Sequence, residues 1–579
     1  MRLNWRTNMP FPERFYTIKG ILWILNMLNK FKILNLIIIF LLFFFITSCS
    51  RNKSKQSIES KAETNAILTG SPLVIGLLNV DSPQQTFLQF YPLKTFLEKK
   101  IKRPVFIDIS ADFDEIAKKI KEEKLHLLII DPAFYCELKA LYPEKIFPLV
   151  KPKGGQGEAS SVFVTKENSG IERIFDAVNK KLALGDKRSS FSYLIPLSML
   201  KDLDLSLNDF SKVDFLIKDK RIALSVLLGD YEVGALSEIV AQTYLNSGLK
   251  IIKASEKVPV YLIASTNSLK EKESFKEIFS SLPEEVLSSL KVEKFVPAED
   301  RDFDYIRVLI KLFKGKDLIE YKPDTIKVAI LPLYSPLTIY KRFDPLMRYL
   351  SEKTGREFKI VIPKDFEEFI NIVKKGKVHF SYQNPYVYAI LSKGGYAKAI
   401  ALTVGEDCTD NPSEICGGDK FRGVIIVRKD SPIKNIEDLK NKKILIVSPY
   451  SAGGFLSQKI YLEKRGYKLK KDFHLIDAKR QEKVIIGVYK KMADAGFIRE
   501  SALGVFSEEV DISQIKILTS TEFLPNWPWA VIKADKDLER MVKETIINLP
   551  DPILKNLKVK GFRPVDEREF ELLKKYVNF

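Results

Sequence analysis

The sequence predicts two α/β domains in tandem, each built on a mostly parallel sheet with helices on both faces. Three observations carry this expectation: a long internal repeat, an alternation of short apolar strands with amphipathic helices inside each repeat, and enough apolar material for two cores. A chain of 579 residues exceeds what one core organises, and 45% hydrophobic with 29% charged residues is an ordinary globular mixture.

The repeat is read from constant offsets. In KLHLLIIDPAFYC and KVHFSYQNPYVYA, Lys124, His126, Pro132 and Tyr135 fall on Lys377, His379, Pro385 and Tyr388, 253 positions later in each case. The same offset places Pro92 on Pro345 and Leu97 on Leu350, both within helix-like stretches. Further along it becomes 262, pairing Ser169 with Ser431 and Gly234 with Gly496. At the two ends it is 267, where Phe295, Pro297, Arg301 and Phe303 meet Phe562, Pro564, Arg568 and Phe570. An offset that grows in two steps is what loop insertions into a duplicated fold produce, and copies this long are domains rather than solenoid units.

The second copy shows the alternation most clearly. The strand IKVAILPL leads to the helix FDPLMRYLSEKTG, then to the strand EFKIVIP, the helix FEEFINIVKKG and the strand VHFSYQ. Asn384, Pro385 and an apolar helix follow; RGVIIVRKD, KKILIVSPYSAGGFLSQKIYLEKRG and EKVIIGVYKKMADAGF repeat the pattern, and NWPWAVIKA leads back. Strands separated by helices favour parallel pairing, and a return strand implies two α/β lobes with chain crossings between them.

The N-terminus reads as an export signal. Ile33 to Ile46 are apolar except for Asn35, with Lys30 and Lys32 before them and Thr47, Ser48 and Cys49 after. That is a charged region, an apolar stretch shorter than the ~20 residues of a membrane span, and a small-residue cleavage site. The expected limits are a leader over 1–48, with Met27 a better placed start than Met1, and a polar tether over 49–70. The two domains then occupy 71–316 and 322–579. An uncleaved anchor helix, drawing on LWILNMLN, is the alternative for the leader.

Export changes the reading of the cysteines. Cys408 and Cys416 lie in GEDCTDNPSEICGGD, where the offset rises, so this loop is an insertion of the second copy. Outside the cytosol a disulfide between them is expected rather than a metal site, since no histidine lies near. Cys136 is expected to be buried and inert.

Composition and motifs exclude several classes. The net charge of +19, from 93 Lys plus Arg against 74 Asp plus Glu, is spread along the chain without an arginine-rich tail, which argues for a solvated basic surface and against nucleic acid. Only three histidines occur, and no HExxH, GxSxG or Walker loop is present, so no catalytic residue, metal or cofactor is expected and the chain is read as a non-enzyme.

At SPYSAGGFLSQKI a strand passes through a loop of small and hydroxyl residues into a helix. Asn384 and Pro385 open another helix, as cap and first residue. In a parallel α/β sheet such turns gather at the carboxyl ends of the strands, where helix N-termini attract anions. Two turns, one from each lobe, can close on one oxyanion.

With these motifs in order, LPLYSP, FDPLMRYLSEKTG, QNPYVYA, EDLKNKKILIVSPYSAGG and VYKKMADAG, the second copy resembles the phosphate, phosphite and phosphonate binding proteins of ABC importers. The first copy follows more loosely through GLLNVDSP, YPLKTFLEKK, IDPAFY, NKKLALGDKRSSFSY and LLGDYEVGA. The resemblance implies the type II periplasmic binding fold twice over, with two lobes in each copy closing on a small oxyanion. ITSC resembles a lipobox, which implies a lipid on Cys49 and attachment to a membrane outside the cytoplasm, beside an ABC permease.

Carried over residue by residue, the family's hydroxyl-rich helix start falls on Ser451, Ala452, Gly453 and Gly454, of which only the first keeps a hydroxyl. Ser448 and Tyr450 precede it. Tyr334, Ser335, Asn384 and Tyr386 match positions lining the cleft, and Asp494 matches an acid that faces an amine in aminophosphonate binders. A histidine usual before the next helix is missing, and Arg480 stands near with a cation instead. In the first copy the corresponding residues are Asp131, Ser189, Ser190 and Glu232, with Phe191 where Gly453 stands. An extra carboxylate there repels an anion, so this copy binds something different or nothing. The expected function is a solute-binding lipoprotein for phosphate, phosphonate or a similar oxyanion; the alternative is a ligand-dependent sensor or scaffold with no transporter.

Overall fold

The computed structural model describes residues 70–78, 82–203, 205–405, 418–505 and 510–577. The expected leader, the lipidated Cys49 and the Cys408–Cys416 disulfide lie outside the described residues. Among the described residues no helix is long and apolar enough to cross a membrane.

Each copy folds into two sheets. In the first, six strands run in the order Lys294–Pro297, Ile146–Lys153, Leu262–Thr266, Leu127–Ile130, Leu73–Leu78, Val105–Ser110. Five more form the second lobe in the order Leu249–Ala254, Ser161–Lys166, Val233–Ser237, Lys181–Leu184, Lys212–Phe215. The second copy repeats this plan, with six strands (Phe358–Val361, Ile326–Ile330, Phe380–Tyr382, Pro528–Val531, Lys398–Val404, Gly561–Arg563) and five (His474–Asp477, Lys443–Ile446, Ala495–Arg499, Gly423–Arg428, Ile515–Ser520). Pairing is parallel in strand–helix–strand units such as Ile326–Ile330 with Phe380–Tyr382. It is antiparallel where the chain returns from the other lobe, as between Phe380–Tyr382 and Pro528–Val531. Two short strands, Lys420–Phe421 and Leu524–Pro525, pair where the chain crosses between the lobes, and Glu158–Ala159 with Val258–Pro259 do the same in the first copy.

Local signals explain the elements and show how closely the copies correspond. Asp112 and Asp365 each cap an amphipathic helix, accepting from the backbone N–H of Glu115 and of Glu368 at 2.8 Å. His126 and His379 each brace a strand. The Nδ1 of each accepts a backbone N–H, from Val74 at 3.1 Å and from Lys327 at 2.9 Å, and burial holds both imidazoles below their usual pKa. Cys136 is buried, as expected.

The copies share one core. A single cluster of buried side chains runs from Phe113 and Tyr135 through Ile306 and Leu309 to Leu337, Tyr340 and Trp529. The helix Asp304–Lys314, last in the first copy, packs on Pro336–Thr354, first in the second. Ion pairs rim this contact, Arg348 with Glu299 at 2.8 Å and with Asp302 at 2.5 Å, and Arg301 with Asp344 at 3.1 Å. Arg307, 4% exposed, is held between Asp300 and Asp304 at 2.6 Å each.

Candidate functional site

The cleft of the second copy is built where strands end and helices begin. Ser335 follows the strand Ile326–Ile330 and caps Pro336–Thr354, its Oγ accepting from the Thr338 N–H at 3.0 Å. Asn384 follows Phe380–Tyr382 and caps Pro385–Lys393, its Oδ1 accepting from Tyr386 and Val387 at 2.9 Å each. That leaves its Nδ2 to donate to the Tyr450 carbonyl at 3.2 Å, from one lobe to the other. In the opposite lobe Ser448 Oγ accepts the Tyr450 N–H at 3.2 Å, and Ser451 Oγ accepts the Gly454 N–H at 3.0 Å. Ser335, Asn384, Ser448 and Ser451 are all buried. The structure therefore brings the hydroxyl turn and the asparagine turn together across the cleft.

The two glycines of the turn are required by packing. A Cβ on Gly453 would lie 2.9 Å from the Arg499 Cβ and 3.1 Å from the Phe421 ring, and one on Gly454 would lie 2.3 Å from Val447. Gly453 thus faces Arg499, whose guanidinium stacks over the Phe421 ring at 4.4 Å. Sequence reasoning missed Arg499, although a signal was there. It ends the strand Ala495–Arg499, beside the Ser451 turn.

Asp494 is a correction. It precedes that strand, is exposed, and accepts the Lys443 N–H at 2.9 Å at the amino ends of the strands. Five residues at about 3.3 Å each put it roughly 16 Å from the cleft. Glu232 makes the same bond to the Lys181 N–H, at 2.9 Å, and is corrected likewise. Two aromatic expectations also shift. Tyr386 donates its hydroxyl to the Tyr576 carbonyl at 3.3 Å, and Tyr334 stacks under Arg342 at 4.2 Å. Ala452 packs in the core with Leu456 and Tyr388 and offers the cleft no side-chain contact.

Arg480 caps the start of Gln481–Tyr489, and its partner comes from the other copy. Its Nη1 donates to the Asp202 carbonyl at 2.9 Å and lies 3.5 Å from the Asp202 carboxylate. Burial pushes that carboxyl up to about 6, opposed by the Arg480 charge, while burial pushes neighbouring Glu482 up to about 7.

The first copy's cleft is filled from within. Asp131 Oδ1 accepts the Ala133 N–H at 2.6 Å and the Ser190 hydroxyl at 2.7 Å, and Oδ2 accepts the Ser190 N–H at 3.1 Å. An internal carboxylate thus takes the donors an oxyanion would use, and burial raises it to about 6 against those bonds. Ser189 Oγ is occupied by Ser192, accepting its N–H at 3.2 Å. Arg188 stacks on Phe113 at 4.9 Å and Phe134 at 5.9 Å, joining the lobes.

Comparison with known proteins agrees with the duplication. The family model described as ABC transporter, phosphonate, periplasmic substrate-binding protein matches twice, over residues 75–303 and 328–570. A tetrathionate sensor histidine kinase of Salmonella typhimurium is 23% identical over 240 residues, 39% of this chain and 40% of that protein. A phosphate-import protein of Mycolicibacterium smegmatis is 27% identical over 135 residues, 23% of this chain and 40% of that one. The chain therefore spans less than half the length of either relative. Among solved structures, PhnD1 from Prochlorococcus marinus in complex with methylphosphonate is 16% identical, with 42% of this chain and 99% of that chain covered and a TM-score of 0.39.

Proposed function

Since the chain belongs, twice over, to the periplasmic substrate-binding proteins of phosphonate ABC transporters, we propose that its second copy is the receptor for phosphate, phosphonate or a similar small oxyanion. One contrast carries the reading. Where the first copy has Asp131 seated on its own hydroxyl turn, the second has neutral Asn384, which leaves the Ser451 turn free of an internal carboxylate from its own lobes. The hydroxyls of Ser335, Ser448 and Ser451 supply polar groups, and Arg480 and Arg499 supply charge.

Binding draws the lobes together through the crossing strands, and the closed form is presented to a membrane permease. The lipid on Cys49 holds the protein at the membrane outside the cytoplasm. No residue is assigned a catalytic role, and no cofactor takes part. The first copy serves as a structural partner.

A second reading has one observation in its favour, the sensor kinase relative, matched over 240 residues. In that reading the same closure reports the ligand to a signalling partner and feeds no transporter.

The test is calorimetric titration of the intact chain, residues 49–579, with phosphate, phosphite, methylphosphonate and 2-aminoethylphosphonate. Saturable binding of at least one is expected. Binding of none by folded protein would overturn the oxyanion assignment.

A further inference from the structure

The joint between the copies has two sides, and each side occurs once more in the molecule. One side belongs to the second copy, the helix Pro336–Thr354 with the strand Phe358–Val361 beside it; the other belongs to the end of the first copy. Moved back by 253 positions, the first side becomes the helix Pro83–Ile101 with the strand Val105–Ser110. Moved forward by 266 or 267 positions, the other side becomes Glu522, Phe523 and residues 566–575, exposed at Phe523, Arg568 and Glu571. Shared bonds confirm that correspondence. Ser255 and Thr521 each accept a backbone N–H, of Ser161 and of Gly423, and Lys574 lies between Glu567 and Glu571 as Arg307 lies between Asp300 and Asp304.

The open faces are more apolar than the joint they correspond to. Phe87, Leu88, Tyr91 and Phe106 are between 37% and 61% exposed. Their counterparts, Tyr340, Lys341, Asp344 and Lys359, all sit on the first copy. Tyr340 is buried in the shared core, Lys341 meets Glu256 at 3.4 Å, Asp344 meets Arg301 at 3.1 Å and Lys359 meets Asp304 at 3.6 Å. Where the joint inside the chain has three charges, the open face has Leu, Tyr and Phe. On the opposite side Phe523, half exposed, replaces Lys257, whose carbonyl accepts from Lys341. Exposure to water alone favours the reverse exchange, and an apolar surface cluster of this kind marks a contact.

We infer that a second copy of this chain docks here, its C-terminal face on the helix Pro83–Ile101, in a repeat of the joint between the two domains. The pairs that the joint carries over are complementary. Leu88 falls opposite Phe523, and Tyr91 falls opposite Arg568, whose side chain is 89% exposed and gains a ring to stack on. The five-stranded lobes add nothing, because Lys218 and Lys464 stand where Arg480 and Asp202 meet, so the contact is weaker than the one inside the chain. Each chain uses two different faces, which makes the association head to tail, continuing as an open series unless its rotation closes a ring. No ligand is needed, and the inference stands apart from the receptor reading.

Sedimentation equilibrium of the intact chain, residues 49–579, from about 1 µM to about 1 mM covers the range of weak protein contacts. Wild type is expected to associate, with its average mass still rising at the highest concentration. Two doubly substituted chains, altered only at exposed residues, test the faces separately. Leu88→Glu with Phe106→Glu sets carboxylates against Glu522 and Glu571, and Phe523→Glu with Arg568→Glu sets them against Leu88 and Tyr91. Each should weaken association at least about tenfold. Mixed in equal amounts, the two variants restore one intact joint, so a species of two chains and nothing larger should form. Wild type that stays monomeric throughout would overturn the inference, and if it pellets with anionic lipid vesicles instead, the open face belongs to a membrane surface. Association that either variant leaves unchanged, or a mixture that forms no dimer, would overturn it as well.

Discussion

Asp131 and Asn384 occupy the same place in the two copies and differ by one atom type, yet that difference separates a filled cleft from an open one. The Asp131 carboxyl, raised from 3.8 to about 6 by burial, binds its proton more tightly in the folded chain than in the unfolded one. Its contribution to stability is therefore present at low pH and is lost as pH rises through 6. Between pH 7.5 and pH 5, wild type should gain about 1 kcal/mol relative to Asp131→Asn, measured as the difference in their denaturation midpoints. A difference that stays flat across that range would contradict the assignment. At this scale the sequence showed which residue types stand in the turns. It could not show that Gly453 faces Arg499 instead of a ligand, because that contact joins residues from different elements. Nor could it show which end of a strand Asp494 occupies, since strand limits are set by pairing partners.

Helices and strands were largely legible, because their apolar periodicity and caps are local. Asp112, Asp365, Ser335 and Asn384 all cap the helices that follow them. The wide first turns at Ser190–Leu194 and Ala452–Leu456 were not legible, since nothing in the residues distinguishes them from ordinary helix starts. The contact between the helices Asp304–Lys314 and Pro336–Thr354 adds a buried charge. Arg307 is paired on both sides and almost fully covered, so removing it strands Asp304 in the interior. Arg307→Ala should destabilise the protein by about 3–5 kcal/mol, read by chemical denaturation. A loss below about 1 kcal/mol would mean the cluster is solvated.

At the scale of the whole molecule the duplication has become one body. The core passes without a break from the first copy to the second, and Arg348, Arg301 and Asp202 tie the copies at separate points. The constant offsets disclosed the two domains, but offsets compare like with like. They are blind to the contacts between copies, which join unlike residues. Asymmetry lies inside the copies, because one cleft is filled by its own Asp131 while the other has neutral Asn384 in that place.

That asymmetry is the central claim, and counting bound methylphosphonate per intact chain by native mass spectrometry tests it most directly, with Ser190→Ala and Ser451→Ala beside wild type. One ligand per chain, retained in Ser190→Ala and weakened at least about tenfold in Ser451→Ala by loss of a hydrogen bond to a charged group, is the predicted result. Two ligands per chain, or binding that depends on Ser190 and ignores Ser451, would contradict it.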